Sequence, residues 1–221
     1  MTDPERKSTY KNIVWHPSAV TRERREAANG HRGAVLWFTG LPSSGKSTTA
    51  HAVENALFQT GHQAYVIDGD NIRHGLSVDL GFGPADRREH LRRIGELSRL
   101  LYSAGMIVLC AFISPAQESR SRVRGLIPEG AFLEIYCRCP VEVCAWRDPK
   151  GFYARARTGE IAEYTGVSAP YEEPRAPELI LDTASCSVDQ CTVAVMELLH
   201  DRRIIGRAGR DTTLSFGRLR L

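Results

Sequence analysis

Ala34-Val35-Leu36-Trp37-Phe38-Thr39-Gly40-Leu41-Pro42-Ser43-Ser44-Gly45-Lys46-Ser47 is the stretch that decides the fold. Its first five residues form a continuous apolar run of strand length. Its last eight fit GxxxxGK[ST] at every fixed position, and a helix is predicted from Lys46 onward. Strand, Gly-rich loop and helix in that order make a P-loop. Glycine lets the backbone turn and bring its N–H groups to phosphate oxygens. The helix N-terminus adds favourable partial charge. Gly40, Leu41, Pro42, Ser43, Ser44, Gly45, Lys46, Ser47 and Thr48 are therefore the candidate ATP site. Lys46 is expected to reach the β- and γ-phosphates, and the Ser47 hydroxyl to ligate Mg²⁺.

Outward from this loop, strand-length and helix-period runs alternate. The first helix is predicted over 46–59, with Ala50, Val53, Ala56 and Leu57 on one face and Gly61 as its stop. Further strands are predicted over 64–67, 106–113, 131–137 and 179–181. Further helices are predicted over 86–103, 117–126 and 188–199, with another beginning at 141–147. Strands apolar on both faces imply a doubly wound, mostly parallel five-stranded sheet with helices on both faces, an α/β P-loop NTPase fold. Residues 1–32 read as a charged arm whose apolar island, Ile13-Val14-Trp15, is a docking point. Residues 33–202 are the expected P-loop domain, and 203–221 a basic tail.

Bulk properties exclude several classes. The 221 residues are 42% hydrophobic and 25% charged, ordinary for a folded domain. A net charge of +3 is too small to argue for nucleic acid. No apolar run approaches the ~20 residues of a membrane span, and Met1–Lys11 has no apolar h-region. A cytoplasmic location is expected. Cys110, Cys137, Cys139, Cys144, Cys186 and Cys191 form no CxxC pair and read as reduced, mostly buried thiols. No histidine lies near the Cys137–Cys144 cluster, so a metal is not expected there.

A P-loop alone does not separate kinases from GTPases. No guanine-reading NKxD occurs, and the DxxG at Asp148–Gly151 comes after a helix late in the chain. After the second strand stands Asp68-Gly69-Asp70-Asn71-Ile72-Arg73, where parallel sheets bind ligands. In an extended chain Asp68 and Asp70 point the same way. One could orient or deprotonate an acceptor hydroxyl while the other holds Mg²⁺ through water. Arg73 could clamp an anionic acceptor. Arg87 and His90 share the inward side of the second long helix. Arg147, Lys150, Arg155 and Arg157 place four cations in eleven residues, which suggests a basic lid over about 147–172 that excludes water.

With these segments in order, the sequence resembles the adenylylsulfate kinase family. Asn12-Ile-Val-Trp-His16, Asp86-Arg87 with Arg92-Arg93-Ile94, Phe112-Ile-Ser-Pro115 and Arg147-Asp-Pro-Lys-Gly151 carry the likeness, as do Tyr164-Thr-Gly166 and Pro170-Tyr-Glu172. It covers roughly residues 11–200. The resemblance implies transfer of the ATP γ-phosphoryl to the 3′-hydroxyl of adenosine 5′-phosphosulfate (APS), and commonly a homodimer. It implies acceptor contacts from Asp70, Arg73, Phe82, Arg87, position 90, Ile113, Ser114, Lys150 and Tyr164. Phe82 would stack on the acceptor adenine, and Arg147 would pack near the ATP adenine. Ser114 is a phosphoserine site in the family; direct in-line transfer needs no covalent step, and backbone contact from Ile113–Ser114 is the plainer role. The chain departs from the family at position 90, where His stands in place of the usual Asn, with pH dependence near neutrality as an expected consequence. A P-loop kinase for another small nucleoside or sugar acceptor, and a non-catalytic nucleotide-binding protein, are the alternatives. The latter would be expected to lack Lys46, Asp68 or the lid cations.

Overall fold

The apolar runs pair side by side, all in parallel, in the order β2-β3-β1-β4-β5. In this computed structural model, which describes residues 12–14 and 16–206, the strands are β1 (Ala34–Thr39), β2 (Ala64–Asp68), β3 (Ile107–Ala111), β4 (Phe132–Arg138) and β5 (Leu179–Asp182). The helices are α1 (Arg22–Asn29), α2 (Lys46–Gln59), α3 (Gly69–Arg73), α4 (Pro84–Ser103), α5 (Gln117–Arg124), α6 (Val141–Arg147), α7 (Phe152–Arg157) and α8 (Val188–Asp201). The expected docking residue Trp15 and residues 207–221 of the expected tail lie outside the described residues.

Strand period explains the layering. Ala34, Leu36 and Phe38 of β1 face α2 and α8, packing with Ala50, Val53, Leu57, Val195 and Leu199. Val35 and Trp37 face the opposite layer, packing with Leu91, Ile94 and Tyr102 of α4 and Val123 of α5. Every residue of β1 is buried, as a central parallel strand requires. The chain leaves β1 into α2 on one face and leaves β3 into α5 on the other. The crevice between the ends of β1 and β3 is thus the switch point where such sheets bind ligands.

Three helices lie beyond the periodicity argument. α1 buries no residue, so it has no apolar stripe to read. It is held by Asn29 Nδ2 donating to the Gly105 carbonyl at 3.2 Å and by Gly33 N donating to Glu26 at 2.8 Å. α3 and α7 are five and six residues long. The packed body also runs past residue 202, because Ile204 and Ile205 are buried and Arg32 N donates to the Ile204 carbonyl at 2.8 Å. Five of the six cysteines are buried, Cys186 alone is exposed, and all six are free. No helix among the described residues is long and apolar enough to cross a membrane.

Candidate active site

The P-loop links β1 to α2 and is held from three sides. Gly40 has φ 151° and packs against β4 so closely that an added Cβ would meet the Cys137 carbonyl oxygen at 2.5 Å. The Thr183 hydroxyl, just after β5, donates to the Ser44 carbonyl at 2.8 Å. The Tyr153 hydroxyl of α7 donates to the Pro42 carbonyl at 3.0 Å. Ser43 sits at φ 60°, left-handed backbone in a non-glycine residue, the strain expected where a loop is shaped for a ligand. The Ser44 hydroxyl is buried with no hydrogen-bond partner. Ser47 and Thr48 are exposed at the start of α2.

Lys46 is 8% exposed, and its Nζ donates to the Leu41 carbonyl at 2.7 Å. Burial pushes its ammonium down to about 8, with the Asp68 and Asp70 carboxylates among the groups pulling it back. A lysine ammonium held in so dry a place gains from any anion brought beside it. Ser47 Oγ donates to Asp68 Oδ2 at 2.5 Å. Two hard oxygen donors converging beside a phosphate cradle fit Mg²⁺, which takes one or two protein oxygens plus phosphates and water.

The two aspartates diverge, contrary to the extended-chain expectation. Asp68 ends β2 and caps α3, its Oδ1 accepting from Asp70 N at 3.0 Å. The chain therefore turns helical at Gly69. Asp70 follows in the first turn of α3 and pairs with Lys150. One carboxylate thus serves the P-loop side and the other faces the segment before α7.

At the end of α3, Arg73 donates to the carbonyls of Leu80 and Gly81 at 3.1 and 3.0 Å and lies 4.3 Å over the Phe82 ring. Phe82 is 66% exposed. Arg87 donates to the Phe82 and Glu163 carbonyls, both at 2.6 Å, and to Thr165 Oγ1 at 3.1 Å, joining α4 to the lid. His90 is buried, edge-on to Phe112, with Nδ1 unpartnered. Burial pushes its ring down to about 4, and the Arg73 and Arg93 charges push the same way. The ring is therefore neutral across the physiological range, and the expected pH dependence near neutrality does not arise from it.

Ser114 is turned into the protein. β3 stops at Ala111, the chain turns inward, and Ser114 takes φ 40° at 3% exposure. Its hydroxyl accepts from Trp37 Nε1 at 3.0 Å and donates to Thr39 Oγ1 at 2.9 Å. A hydroxyl so engaged is a structural pin, which favours the backbone role of Ile113–Ser114 over a covalent one.

The lid is also less uniformly basic than its composition suggested. Arg147 donates to the Thr183 carbonyl at 2.6 Å, beside the P-loop. Arg155 pairs with Glu160 at 2.6 Å, and Arg157 is exposed. Lys150 alone of the four pairs with Asp70. Asp148 opens α7, accepting from Phe152 N and Tyr153 N, both at 2.9 Å. That gives its DxxG a capping role. Tyr164 stands edge-on to Tyr153 with centroids 5.1 Å apart. With Leu41, Cys139 and Cys144 they form a small apolar cluster that seats the lid on the P-loop.

Sequence reasoning passed over Trp37, Thr39, Arg120, Tyr153 and Thr183 as site-shaping residues. Trp37 and Thr39 sit inside the deciding stretch but read there as plain strand. Arg120 reads as one of three arginines on a charged helix.

A parallel sheet with a phosphate cradle at its switch point, a Ser–Asp pair beside it and a lid above it defines a P-loop phosphotransferase. Residues 32–182 match the family described as adenylylsulphate kinase. The adenylyl-sulfate kinase of Acaryochloris marina is 55% identical over 194 residues, 88% of this chain and 95% of that protein. The one from Geotalea uraniireducens is 52% identical over 195 residues, 88% of this chain and 94% of that one. Among solved structures, the Mycobacterium tuberculosis APS kinase CysC in complex with AMPPNP and APS superposes with a TM-score of 0.74 at 46% identity, covering 77% of this chain and 99% of that one. The chain belongs to the adenylylsulphate kinase family.

Proposed function

We propose that this chain transfers the γ-phosphoryl group of ATP to the 3′-hydroxyl of APS, giving 3′-phosphoadenylyl sulfate and ADP. The observation that carries the reading is the meeting of two carboxylate contacts at the end of β2: the Ser47–Asp68 hydrogen bond on the P-loop side and the Asp70–Lys150 ion pair on the other. Donor and acceptor halves of a phosphoryl transfer need that separation. In-line transfer calls mainly for positioning and for cations around the moving charge.

On this reading the backbone of Gly40–Ser47 and Thr48 cradles the phosphates, Lys46 meets the β- and γ-oxygens, and Arg147 borders the adenine. Ser47 and Asp68 would hold Mg²⁺, which would supply positive charge against the phosphates. Asp70 accepts a hydrogen bond from the acceptor hydroxyl and orients it, and Lys150 screens the charge that develops. Arg73 and Arg87 bind the anionic part of the acceptor, exposed Phe82 stacks on its adenine, and Ile113–Ser114, His90 and Tyr164 complete the pocket. Lid closure keeps water, the competing acceptor, away.

The test offers Mg-ATP with APS, and separately with nucleosides and sugars, and follows ADP. APS alone should drive release; release with a sugar and none with APS would move the chain to another acceptor. Lys46→Ala should cost several kcal/mol of transition-state stabilisation. A homodimer in the cytoplasm accompanies the proposal, supported by exposed Ile13 and Val14 in the arm. Light scattering that returned a monomer would remove the dimer.

A further inference from the structure

Arg120 is the largest charged side chain in the interior, 1% exposed on a helix that otherwise carries surface charge. A guanidinium has five N–H donors, and all five are used. Nε donates to Glu134 Oε1 at 2.8 Å. Nη1 bridges two consecutive carbonyls, Ser114 at 2.7 Å and Pro115 at 3.2 Å. Nη2 donates to Gln117 Oε1 at 2.8 Å and to the Glu172 carbonyl at 2.7 Å.

These acceptors belong to two segments with different duties. Ser114–Pro115 is the turn after β3, the floor of the proposed acceptor pocket. Glu172 lies in the strap that carries the chain from the lid back to β5. Further bonds tie the same two segments: Glu172 N donates to the Pro115 carbonyl at 2.9 Å, and Gln117 N to Glu172 Oε2 at 2.7 Å. A second knot stands beside them. The Tyr171 hydroxyl donates to Thr39 Oγ1 at 2.9 Å, and Thr39 in turn donates to the Ile113 carbonyl at 2.8 Å.

The floor needs holding. Ser114 at φ 40° is left-handed, a conformation that costs a non-glycine residue of order 1 kcal/mol or more and persists only when its surroundings over-determine it. Trp37 fixes its hydroxyl and Arg120 fixes its carbonyl. A lysine would retain the charge beside Glu134, yet a point charge on a flexible stem cannot bridge two carbonyls on one side and a strap on the other.

We propose that Arg120 is a positioning residue for the acceptor. It holds the Ile113–Pro115 backbone in its strained, acceptor-facing form and clamps it to the Glu172 end of the lid strap, without touching either nucleotide. The inference rests on the APS kinase reading above.

The test compares two variants. Arg120→Lys should raise KM for APS about tenfold, the worth of one charged hydrogen bond, while KM for ATP stays within about twofold. Glu134→Gln keeps an acceptor for Nε and leaves the carbonyl clamp intact, so Tm should fall while both KM values hold. A folded Arg120→Lys protein with an unchanged KM for APS, or with both KM values raised together, would overturn the proposal. Should Arg120→Lys not fold, Gln117→Ala decides: it removes one acceptor at the rim and should raise KM for APS about threefold, and no rise overturns the clamp. Failure of the wild-type chain to use APS is a separate result and sinks the assigned reaction instead.

Discussion

Raising the pH from 7 to 9 should weaken ATP binding about tenfold, through Lys46 alone. The ammonium is buried and its pKa lies at about 8 in the free protein. About nine-tenths of the chains carry the charge at pH 7, and about one-tenth at pH 9. Phosphates restore the charge, because opposite charges at short range favour the ionised form. The bound state is therefore fully protonated across this window, and affinity falls in proportion to the free charged fraction, about 1.4 kcal/mol over the two units. Few other site groups interfere: burial holds the Cys137 and Cys144 thiols up at about 12, and His90 is already neutral. Calorimetry with AMPPNP and Mg²⁺ at pH 7, 8 and 9, in buffers of differing ionisation enthalpy, should also show uptake of about half a proton at pH 8. Lys46→Arg should bind more weakly and with a flat profile. Wild-type affinity that is constant from pH 7 to 9 would refute a dry, depressed Lys46. For stability the sign is that of a carboxylate with a lowered pKa: the fold gains stability as pH rises from about 8 toward 10.5. The unfolded lysine holds its proton to higher pH than the folded one, so the cost of burying the charge is complete below pH 8 and fades toward pH 10.5. Lys46→Met should therefore raise Tm at pH 7 while abolishing turnover, and lose that advantage in alkali.

Other outcomes follow from the same geometry. Asp70→Asn keeps a hydrogen-bond acceptor but removes the charge that pairs with Lys150 and the basicity that activates the reacting hydroxyl. It should lower kcat by about 10² or more with little change in KM for ATP, measured by coupled ADP release. His90→Asn should keep kcat and alter KM for APS; an unchanged KM would show that position 90 lies outside the pocket. The same substitution should flatten the loss of Tm between pH 6.5 and 4, because a histidine buried neutral destabilises the fold as acid forces a proton onto it.

The sheet was legible because its strands are apolar on both faces and its punctuation is strong. Gly40 and Gly45 frame the loop, and Gly61 and Gly105 stop two helices. α1 escaped because it buries nothing, and amphipathicity is the only signal periodicity can use. Asp68 and Asp70 were found, but their divergence was not, since one N-cap hydrogen bond at Gly69 converts an assumed strand into a helical turn. Ser114 was found for its place after β3, but its inward turn depends on Trp37 and Thr39 across the sheet and leaves no signal in the sequence. Arg120 was invisible for the same reason. Three arginines in five residues, Arg120, Arg122 and Arg124, look alike in sequence, and only the sheet beneath α5 decides that the first is buried and the second exposed.

The central claim is that the P-loop at Gly40–Ser47 delivers phosphate to one hydroxyl of APS. Phosphorus NMR and mass spectrometry of the product formed from Mg-ATP and APS test it most directly, with 3′-deoxy-APS as the control. The product should carry one new phosphomonoester on the 3′ oxygen, with one ADP per product and no transfer to the deoxy compound. A phosphate elsewhere on APS, or ADP released equally with 3′-deoxy-APS, would contradict it.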